Sequence, residues 1–344
     1  MANIMINKAC NLNCSYCFAN EFVNKDEYNM SMENLERAIR FACHNQNNVS
    51  IGVIGGEPLL HPNFEQILSR LIHEPRIASI LVFTNGLLLN KYFKILSHKK
   101  VKLLVNLNDP QNMSHKKYQQ IISNLDKLHF EYYKGDDVTL GINMYKPDFN
   151  YQYLLNELKK YRKTYVRTCI AVPNTPEKKG FSALDYFRSM KPGVIEFFKK
   201  AKAIGVMPSF DCNLLPTCTT TDEEKAFLTS LWDMEKTSGN FCSAGEPSNC
   251  SPVIDILPDL QAVRCFGTSD QDKVHIDQFK DVNELINYYK FNYDSFAYHV
   301  HNEPECMECD QAKKMVCMGG CLAFKNKKIN AVKKSIGNIN QSVS

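Results

Sequence analysis

Short apolar runs alternate with stretches of helical periodicity over the first two hundred residues of the chain. The apolar runs predict six strands, at residues 3–8, 49–54, 79–83, 102–107, 138–145 and 165–172. The stretches that follow them predict helices at about 32–45, 62–73, 90–98, 114–130, 150–162 and 185–204. In the first of these, Leu35, Ala38 and Ile39 fall on one face, and Ser31 is placed to cap the helix at its N-terminus.

Six successive strand–helix units predict parallel strands joined by right-handed crossovers. Six units are too few for an eight-fold barrel, so we expect an α/β fold, a partial (β/α)6 barrel over residues 1–204. In such barrels the chemistry lies on the loops that follow the carboxyl ends of the strands. Motifs in those loops are therefore the first candidates for a functional site.

The strand–helix rhythm breaks after residue 204. Residues 205–325 are rich in loops and prolines, and only 222–236 and 281–290 show helical patterns. A segment with so little regular core predicts a second domain that metal ions or clusters cross-link. Residues 326–344 form a polar tail, expected to be frayed or a surface helix.

The composition of the chain indicates which partners to expect and what role its cysteines have. A net charge of +4 over 344 residues gives no reason to expect a nucleic-acid or membrane-surface partner. No apolar run approaches the roughly 20 residues of a membrane span, and the first residues do not resemble a signal peptide, which predicts a cytoplasmic protein. The 14 cysteines of such a chain are then expected to be metal ligands or redox groups rather than disulfides.

The first cysteine group is Cys10-x3-Cys14-x2-Cys17, directly after the first predicted strand. Iron–sulfur clusters usually take four thiolates, and the next cysteine, Cys43, lies on the apolar face of a predicted helix. Three thiolates on a four-iron cluster leave one iron open, which is typical of a catalytic site. A zinc ion, or a closed cluster with a remote fourth ligand, is the alternative.

The run CNLNCSYC, residues 10–17, resembles the hallmark loop of radical S-adenosylmethionine (SAM) enzymes. The resemblance implies that SAM chelates the open iron and is cleaved to a 5′-deoxyadenosyl radical. It also implies that Tyr16 packs near the adenine. The resemblance covers about residues 3–204.

Further motifs match this family at the ends of the predicted strands. Residues 55–58, GGEP, resemble the loop that holds the methionyl amine, and residues 84–86, TNG, resemble the turn that closes the third strand. Asn106 and Asn108 stand where relatives often have Ser-x-Asp-Gly. The resemblance implies these cofactor-binding residues: Tyr16, Gly55, Gly56, Glu57, Pro58, Thr84, Asn106, Asn108 and Asn143.

The second cysteine group is Cys306-x2-Cys309-x7-Cys317-x3-Cys321, preceded by Cys250-x14-Cys265 and Cys212-x5-Cys218. Eight thiolates suffice for two closed four-iron clusters, and paired cysteines also suit one or two structural zinc ions. The group resembles the SPASM or twitch extension of radical SAM enzymes, which carries auxiliary four-iron clusters. It departs from that pattern in a longer middle gap, in Leu260 where many relatives have Gly, and in the lack of a cysteine after Cys321.

The resemblance implies one cluster on Cys250, Cys265 and Cys321 and another on Cys306, Cys309 and Cys317. Cys212 and Cys218 would complete the two sets, with Cys242 in reserve for the first. Cys43 and Cys169 are expected to be core thiols, and Cys169 is also considered as a hydrogen donor to a substrate radical. His299 and His301 are expected at the surface.

The resemblance favours a radical SAM enzyme, of oxidoreductase type, that acts on a ribosomally made peptide by cross-linking, epimerisation or oxidation. Only nine residues precede Cys10, so we expect any leader-binding protein to be a separate partner. Flavodoxin or ferredoxin is the expected electron donor. The alternatives are oxidation of a small molecule and a non-catalytic zinc or iron–sulfur scaffold.

Overall fold

A computed structural model describes residues 2–17, 19, 23–25, 28–172, 182–213, 215–236, 250–268, 272–301 and 303–342. Its centre is an open, mostly parallel sheet with the strand order β10-β9-β8-β1-β2-β3-β4-β5-β6-β7. The strands are β1 Ala2–Asn7, β2 Val49–Gly55, β3 Ile77–Thr84, β4 Val101–Asn106, β5 Val138–Met144, β6 Tyr165–Ile170, β7 Met207–Cys212, β8 Ile254–Ile256, β9 Gln261–Val263 and β10 Val274–His275.

The helices cover one face of this sheet and build the C-terminal segment. They are α1 Met32–Ala42, α2 Phe64–His73, α3 Phe93–Leu96, α4 His115–Phe130, α5 Gln152–Lys160, α6 Ala183–Ala203, α7 Asp222–Lys236, α8 Val282–Tyr289, α9 Ser295–Ala297, α10 Pro304–Glu308, α11 Asp310–Lys313 and α12 Asn326–Ser342. Ser31 caps α1 as predicted, since its hydroxyl accepts from the N–H of Asn34 at 3.1 Å. In the described part of the chain, no helix is both long and apolar enough to cross a membrane.

All six residues of β1 are buried, because the strand is central in the sheet and covered on both faces. Ile4 and Ile6 belong to the large core between sheet and helices. Met5 points to the opposite face, into a smaller apolar cluster with Ile54 and Leu257. The alternation along one strand thus separates the helix-covered core from the opposite side of the sheet, called the inner side below.

The predicted α/β class and all six predicted parallel strands are confirmed, and the parallel row continues into a seventh strand that the sequence did not predict. β7 pairs in parallel with β6, with Pro208 opposite Val166. β7 is an edge strand, where a proline costs no sheet hydrogen bond on its free side. That proline is why the segment reads as a loop in the sequence.

The sheet also continues across the predicted domain boundary at residue 204. β8 pairs in parallel with the free side of β1, so that Ile4 lies between Val53 of β2 and Ile256 of β8. Residues 205–325 therefore contribute four strands to the same sheet, and their independence as a domain stays a prediction.

The tail after residue 325 is a helix that is partly buried, not only a polar surface. Ile329 of α12 is fully buried in a cluster with Tyr293, Val300 and Leu322. Lys325, just before this helix, is 1% exposed, and its ammonium donates to the carbonyls of Ala297, Val300 and Met318. The start of the tail thereby belongs to the C-terminal core.

Asn3 of β1 and Asp255 of β8 are paired across the sheet, with 2.7 Å from the Asn3 amide nitrogen to a carboxylate oxygen. Burial raises the pKa of Asp255 to about 7, and the nearby Asp211 adds to this, although Asn3 and a backbone N–H oppose it. The folded chain therefore keeps the Asp255 proton to a higher pH than the unfolded chain does.

We predict that this carboxyl group lowers the free energy of unfolding as the pH rises from about 4 to about 7, because only the folded state retains the proton there. The full effect is on the order of 4 kcal/mol at 1.36 kcal/mol per pKa unit. Asp255→Asn keeps an acceptor for Asn3 and should remove this slope. Thermal unfolding of both proteins at about pH 5 and about pH 8 measures it; identical pH responses would contradict the prediction.

Candidate functional site

The loop of Cys10, Cys14 and Cys17 leaves the carboxyl end of β1, and all three thiols are partly exposed. The N–H of Cys17 donates to the Cys14 carbonyl at 3.1 Å, and the N–H of Leu12 donates to Cys10 Sγ at 3.5 Å. Asn24 fastens the loop from outside, since its side chain accepts from the N–H of Cys10 at 2.8 Å and donates to the Cys10 carbonyl at 3.2 Å. The structure thus brings the three cysteines together on one tight loop.

The electrostatic surroundings of these thiols disfavour free thiolates. The pKa of Cys10 is raised to about 11, chiefly by burial, with smaller contributions from Glu57, Cys14 and Cys17 that the N–H of Leu12 opposes. Burial also raises the pKa of Cys17, and Cys14 adds to that shift. As thiolates the three sulfur atoms would repel one another, and the irons of an iron–sulfur cluster would offset that repulsion.

No three His, Cys, Asp or Glu side chains converge closely enough to hold a single metal ion within the residues the structure describes.

The GGEP loop, residues 55–58, docks directly on the cysteine loop. The N–H of Glu57 donates to the Ala9 carbonyl at 2.8 Å, and the N–H of Gly56 donates to the Asn7 carbonyl at 3.2 Å. A Cβ on Gly56 would lie 2.4 Å from the Ala9 oxygen, and one on Gly55 would lie 2.1 Å from Asn7 Oδ1. The close approach that glycine permits is thus made here to the protein's own chain.

Glu57 joins the ends of β2 and β3. Its side chain is 1% exposed and accepts from the Thr84 hydroxyl at 2.8 Å, the N–H of Asn85 at 2.8 Å and the N–H of Leu59 at 3.2 Å. Burial raises the pKa of Glu57 to about 7 in spite of these donors. Pro58 starts the short turn that follows. Whether Glu57 also reaches a methionyl amine stays a prediction.

The TNG turn, residues 84–86, connects to the same loop. Gly86 has a φ of +83°, which suits glycine, and its N–H donates to the Thr84 hydroxyl at 3.1 Å. The Asn85 amide donates to Asn11 Oδ1 at 2.8 Å. The turn thereby holds Asn11, which lies between the first two cysteines. This link between Asn85 and Asn11 has no signal in the sequence beyond the TNG turn itself.

Tyr16 and Asn108 connect the cysteine loop to the end of β4. The Tyr16 hydroxyl donates to Asn108 Oδ1 at 2.6 Å, and the amide nitrogen of Asn108 donates to Cys14 Sγ at 3.7 Å. Tyr16 stacks on Tyr145 with 4.4 Å between the ring centroids. A small cavity lies beside these rings, lined by Leu107, Asp109, Ile142, Asn143, Phe149 and Tyr153 as well.

Asn106 and Asn143, both predicted to bind SAM, are held by a residue that the sequence analysis missed. Arg167 of β6 donates to Asn143 Oδ1 at 2.7 Å and to Asn106 Oδ1 at 3.4 Å. Its other side binds the Asp211 carboxylate at 2.9 Å and 2.8 Å. A charged residue in the middle of the apolar strand 165–170 was the available signal for this inner polar wall. A contact of either asparagine with SAM stays a prediction.

Four of the C-terminal cysteines, Cys218, Cys306, Cys309 and Cys317, lie near one another. Cys306 and Cys309 lie on one turn, with the N–H of Cys309 donating to the Cys306 carbonyl at 3.3 Å. Cys218 follows β7 in the chain. Burial is the main cause that raises the pKa of Cys218, and the nearby Cys306, Cys317 and Cys309 raise it too. Cys218 therefore lies near Cys306, Cys309 and Cys317, and its role as a fourth ligand stays a prediction.

Cys250 and Cys265 form a second pair, which shares the Arg264 guanidinium. A Cβ on Gly267 would lie 3.6 Å from Cys265 Sγ and 3.3 Å from Ala323, so the turn after Cys321 packs near this pair. Cys242 and the Cys212 side chain lie outside the described residues.

The remaining side chains singled out in the sequence are two cysteines and two histidines outside the groups described above. Cys43 is fully buried and Cys169 is 9% exposed, as expected of core thiols. His299 is exposed and His301 is half-buried. A hydrogen-donor role for Cys169 stays a hypothesis.

Comparison with known proteins gives one family. The model of the radical SAM superfamily matches residues 4–152. GTP 3',8-cyclase of Alkaliphilus metalliredigens is 31% identical over 101 residues, which are 29% of this chain and 31% of the cyclase. Uncharacterized protein MJ0907 of Methanocaldococcus jannaschii is 26% identical over 286 residues, which are 80% of this chain and 91% of that protein.

The match spans 31% to 49% of the length of the first curated cyclases. Among solved structures, Streptococcus suis SuiB bound to S-adenosylmethionine superposes with a TM-score of 0.60 at 16% identity. That superposition covers 94% of this chain and 72% of SuiB, and the likeness is one of fold.

Glu57 provides a test of how the site is assembled. We predict that Glu57→Ala lowers the free energy of unfolding by about 3 kcal/mol, because the buried N–H of Asn85 and hydroxyl of Thr84 lose their acceptor. The control is Glu65→Ala on the exposed side of α2, which should stay within about 0.5 kcal/mol of wild type. Urea unfolding measures both, and equal losses would count against a joining role for Glu57.

Proposed function

We propose, from the match of residues 4–152 to the radical SAM superfamily, that Cys10, Cys14 and Cys17 hold a four-iron cluster with SAM on its fourth iron. When bound, this group supplies the electron that cleaves SAM to a 5′-deoxyadenosyl radical, which takes a hydrogen atom from the substrate. The observation that carries the proposal is the joining of the cysteine loop, the GGEP loop and the TNG turn at one edge of the sheet.

The chain's own residues orient the cluster ligands. Asn24 fixes the backbone of Cys10 from one side, and Asn108 donates toward the Cys14 sulfur from the other. Outer hydrogen bonds of this kind position metal ligands and tune their basicity. Asn108 is itself fixed by Tyr16, so the end of β4 and the cysteine loop act as one unit.

The inner side of the sheet offers two different surfaces to a substrate. Beneath the cysteine loop lie the apolar side chains of Met5, Ile54 and Phe266, which pack against Cys17 and exclude water from that side. Across from them, Arg167 and its partners form a polar wall on β4 to β7. We place the reacting carbon of the substrate above the apolar half and its polar groups against the wall.

We propose a ribosomally made peptide as the substrate, to be cross-linked, epimerised or oxidised. The support is the fold shared with SuiB, which has been solved bound to its precursor peptide SuiA and superposes at a TM-score of 0.57 and 16% identity. The cysteine-rich C-terminal segment is the second support. A separate leader-binding protein and an electron donor such as flavodoxin or ferredoxin complete the proposed partners.

A small-molecule substrate is the second candidate. The curated relatives named GTP 3',8-cyclase or probable GTP 3',8-cyclase, at 27% to 37% identity over part of this chain, favour it. The matches to the first two of these relatives cover 29% and 44% of this chain.

For that segment we propose two auxiliary four-iron clusters. One cluster would bind Cys218, Cys306, Cys309 and Cys317. Cys306, Cys309 and Cys317 raise the pKa of Cys218, and Cys309 and Cys317 raise that of Cys306. The other would bind Cys250, Cys265 and Cys321, with Cys212 or Cys242 as its fourth ligand.

Iron counting tests the cluster assignment. We predict that the Cys10/Cys14/Cys17 triple alanine variant, reconstituted anaerobically with iron and sulfide, loses one cluster's worth of iron and all reductive cleavage of SAM, because no other site leaves an iron open for SAM. Iron and sulfide analysis together with 5′-deoxyadenosine measurement gives the result. Retained cleavage would contradict the assignment.

Two further variants make that iron count specific. Cys218→Ser should also lose one cluster's worth of iron, through a different site. The control Cys43→Ala changes a buried cysteine of the helix-covered core and should keep all of the iron.

The substrate class is tested with peptides encoded beside the gene. The reduced, reconstituted enzyme with SAM is expected to change the mass of such a peptide, and the triple alanine variant should not. Mass spectrometry of the peptide is the measurement. If a nucleotide or sugar is consumed instead while every neighbouring peptide stays unchanged, the small-molecule candidate replaces the peptide.

A further inference from the structure

Arg264 is a fully enclosed cation in contact with two of the proposed cluster ligands. Its side chain is 1% exposed, and Nη1 donates to Cys250 Sγ at 3.3 Å and lies 4.0 Å from Cys265 Sγ. Nη2 also donates to the Cys250 carbonyl at 2.6 Å. One guanidinium therefore holds the backbone of Cys250 and faces the sulfur atoms of both cysteines.

The other side of the guanidinium is fixed by Asp294. Nε and Nη2 donate to the two oxygens of this carboxylate at 2.5 Å and 3.0 Å, a bidentate pair with 2% and 9% of the side chains exposed. The Tyr293 ring lies below the guanidinium, 6.0 Å away at its centroid. These contacts leave Nη1 aimed at the sulfur atoms.

Stability alone gives little reason for this arrangement. Removing two charges from water costs several kcal/mol per ion, and a buried ion pair is often no more stabilising than apolar side chains of similar volume. The positive end of the pair is turned toward the cysteines and the negative end away from them. Such an oriented pair acts on charge that resides at the sulfur atoms.

We propose that Arg264 raises the reduction potential of an auxiliary cluster bound by Cys250 and Cys265. The inference rests on the proposed function, in which these cysteines hold a cluster. Each one-electron reduction adds negative charge that spreads onto the sulfur ligands, and N–H donors and nearby positive charge stabilise the reduced form. Arg264 is a positioning residue here, since it acts through the two ligands.

The second buried cation of the C-terminal segment is placed differently. Lys325 lies near Cys306, Cys317 and Cys321, but its ammonium donates to the carbonyls of Ala297, Val300 and Met318. Three acceptors match the three N–H groups of an ammonium. Arg264 thus differs from Lys325 in donating directly to sulfur, and we expect its effect to be confined to one cluster.

The test is potentiometric titration of the reconstituted full chain, followed by electron paramagnetic resonance. The Arg264→Gln/Asp294→Asn double variant removes the donor without leaving an unpaired buried carboxylate. We expect at least a tenfold fall in the equilibrium constant for reduction of one cluster, a shift of about 59 mV for one electron. Iron content and melting temperature verify that the variant is folded and loaded.

Two single variants separate tuning from a structural role. Asp294→Asn removes the opposing charge while Arg264 keeps its bond to sulfur, so the potential should rise rather than fall. Arg264→Lys keeps the positive charge but lacks the planar guanidinium, so its potential should lie between those of the wild type and the double variant. The proposal is overturned if the single variants Arg264→Lys and Asp294→Asn shift the potential in the same direction. It is also overturned if the loaded double variant keeps the wild-type potential.

The failure of this inference differs from failure of the proposed function. Cys250→Ser that loses no iron would remove the auxiliary cluster itself from the proposal. Cys250→Ser that loses one cluster's worth of iron, together with unchanged potentials in the Arg264 variants, would overturn only the role of Arg264.

Discussion

The site depends on one buried carboxylate, that of Glu57. Its backbone N–H binds the cysteine loop through the Ala9 carbonyl, and its side chain accepts from Thr84 and Asn85 at the end of the neighbouring strand. Three segments that are distant in sequence meet on this residue, in an interior where an unpaired donor costs about 1–3 kcal/mol. The position of the cysteine loop therefore follows from a hydrogen-bond requirement of the protein before any cofactor binds.

The second organising feature is the division of the inner side of the sheet. The strands next to the cysteine loop present Met5, Ile54 and Leu257, whereas β6 presents Arg167 to the amides of β4 and β5. A radical is best kept in dry, apolar surroundings, and a polar substrate is best positioned by fixed hydrogen-bonding groups. The strand order places the apolar side chains on one part of the inner side of the sheet and the hydrogen-bonding groups on another.

Much of the fold could be predicted because local patterns carry it. The apolar runs that predict the strands and the Ser31 cap of α1 are properties of short segments, and both are confirmed. β7 was missed because Pro208 is tolerated only at an edge, and edge position is a property of the whole sheet. The cysteine motifs were visible by spacing. The Arg167 wall and the placement of Cys218 beside Cys306 depend on contacts between distant segments, which periodicity does not encode.

The pairing of β1 with β8 has a consequence for synthesis. β1 leaves the ribosome before the other described strands, yet its partner on one side, Ile254–Ile256, follows about 250 residues later. Until then the nascent chain exposes a row of free backbone donors and acceptors along an apolar strand, the kind of edge that invites pairing with other chains. Completion of the sheet is thus a late event in the life of each molecule, and truncated products should aggregate rather than accumulate as soluble halves.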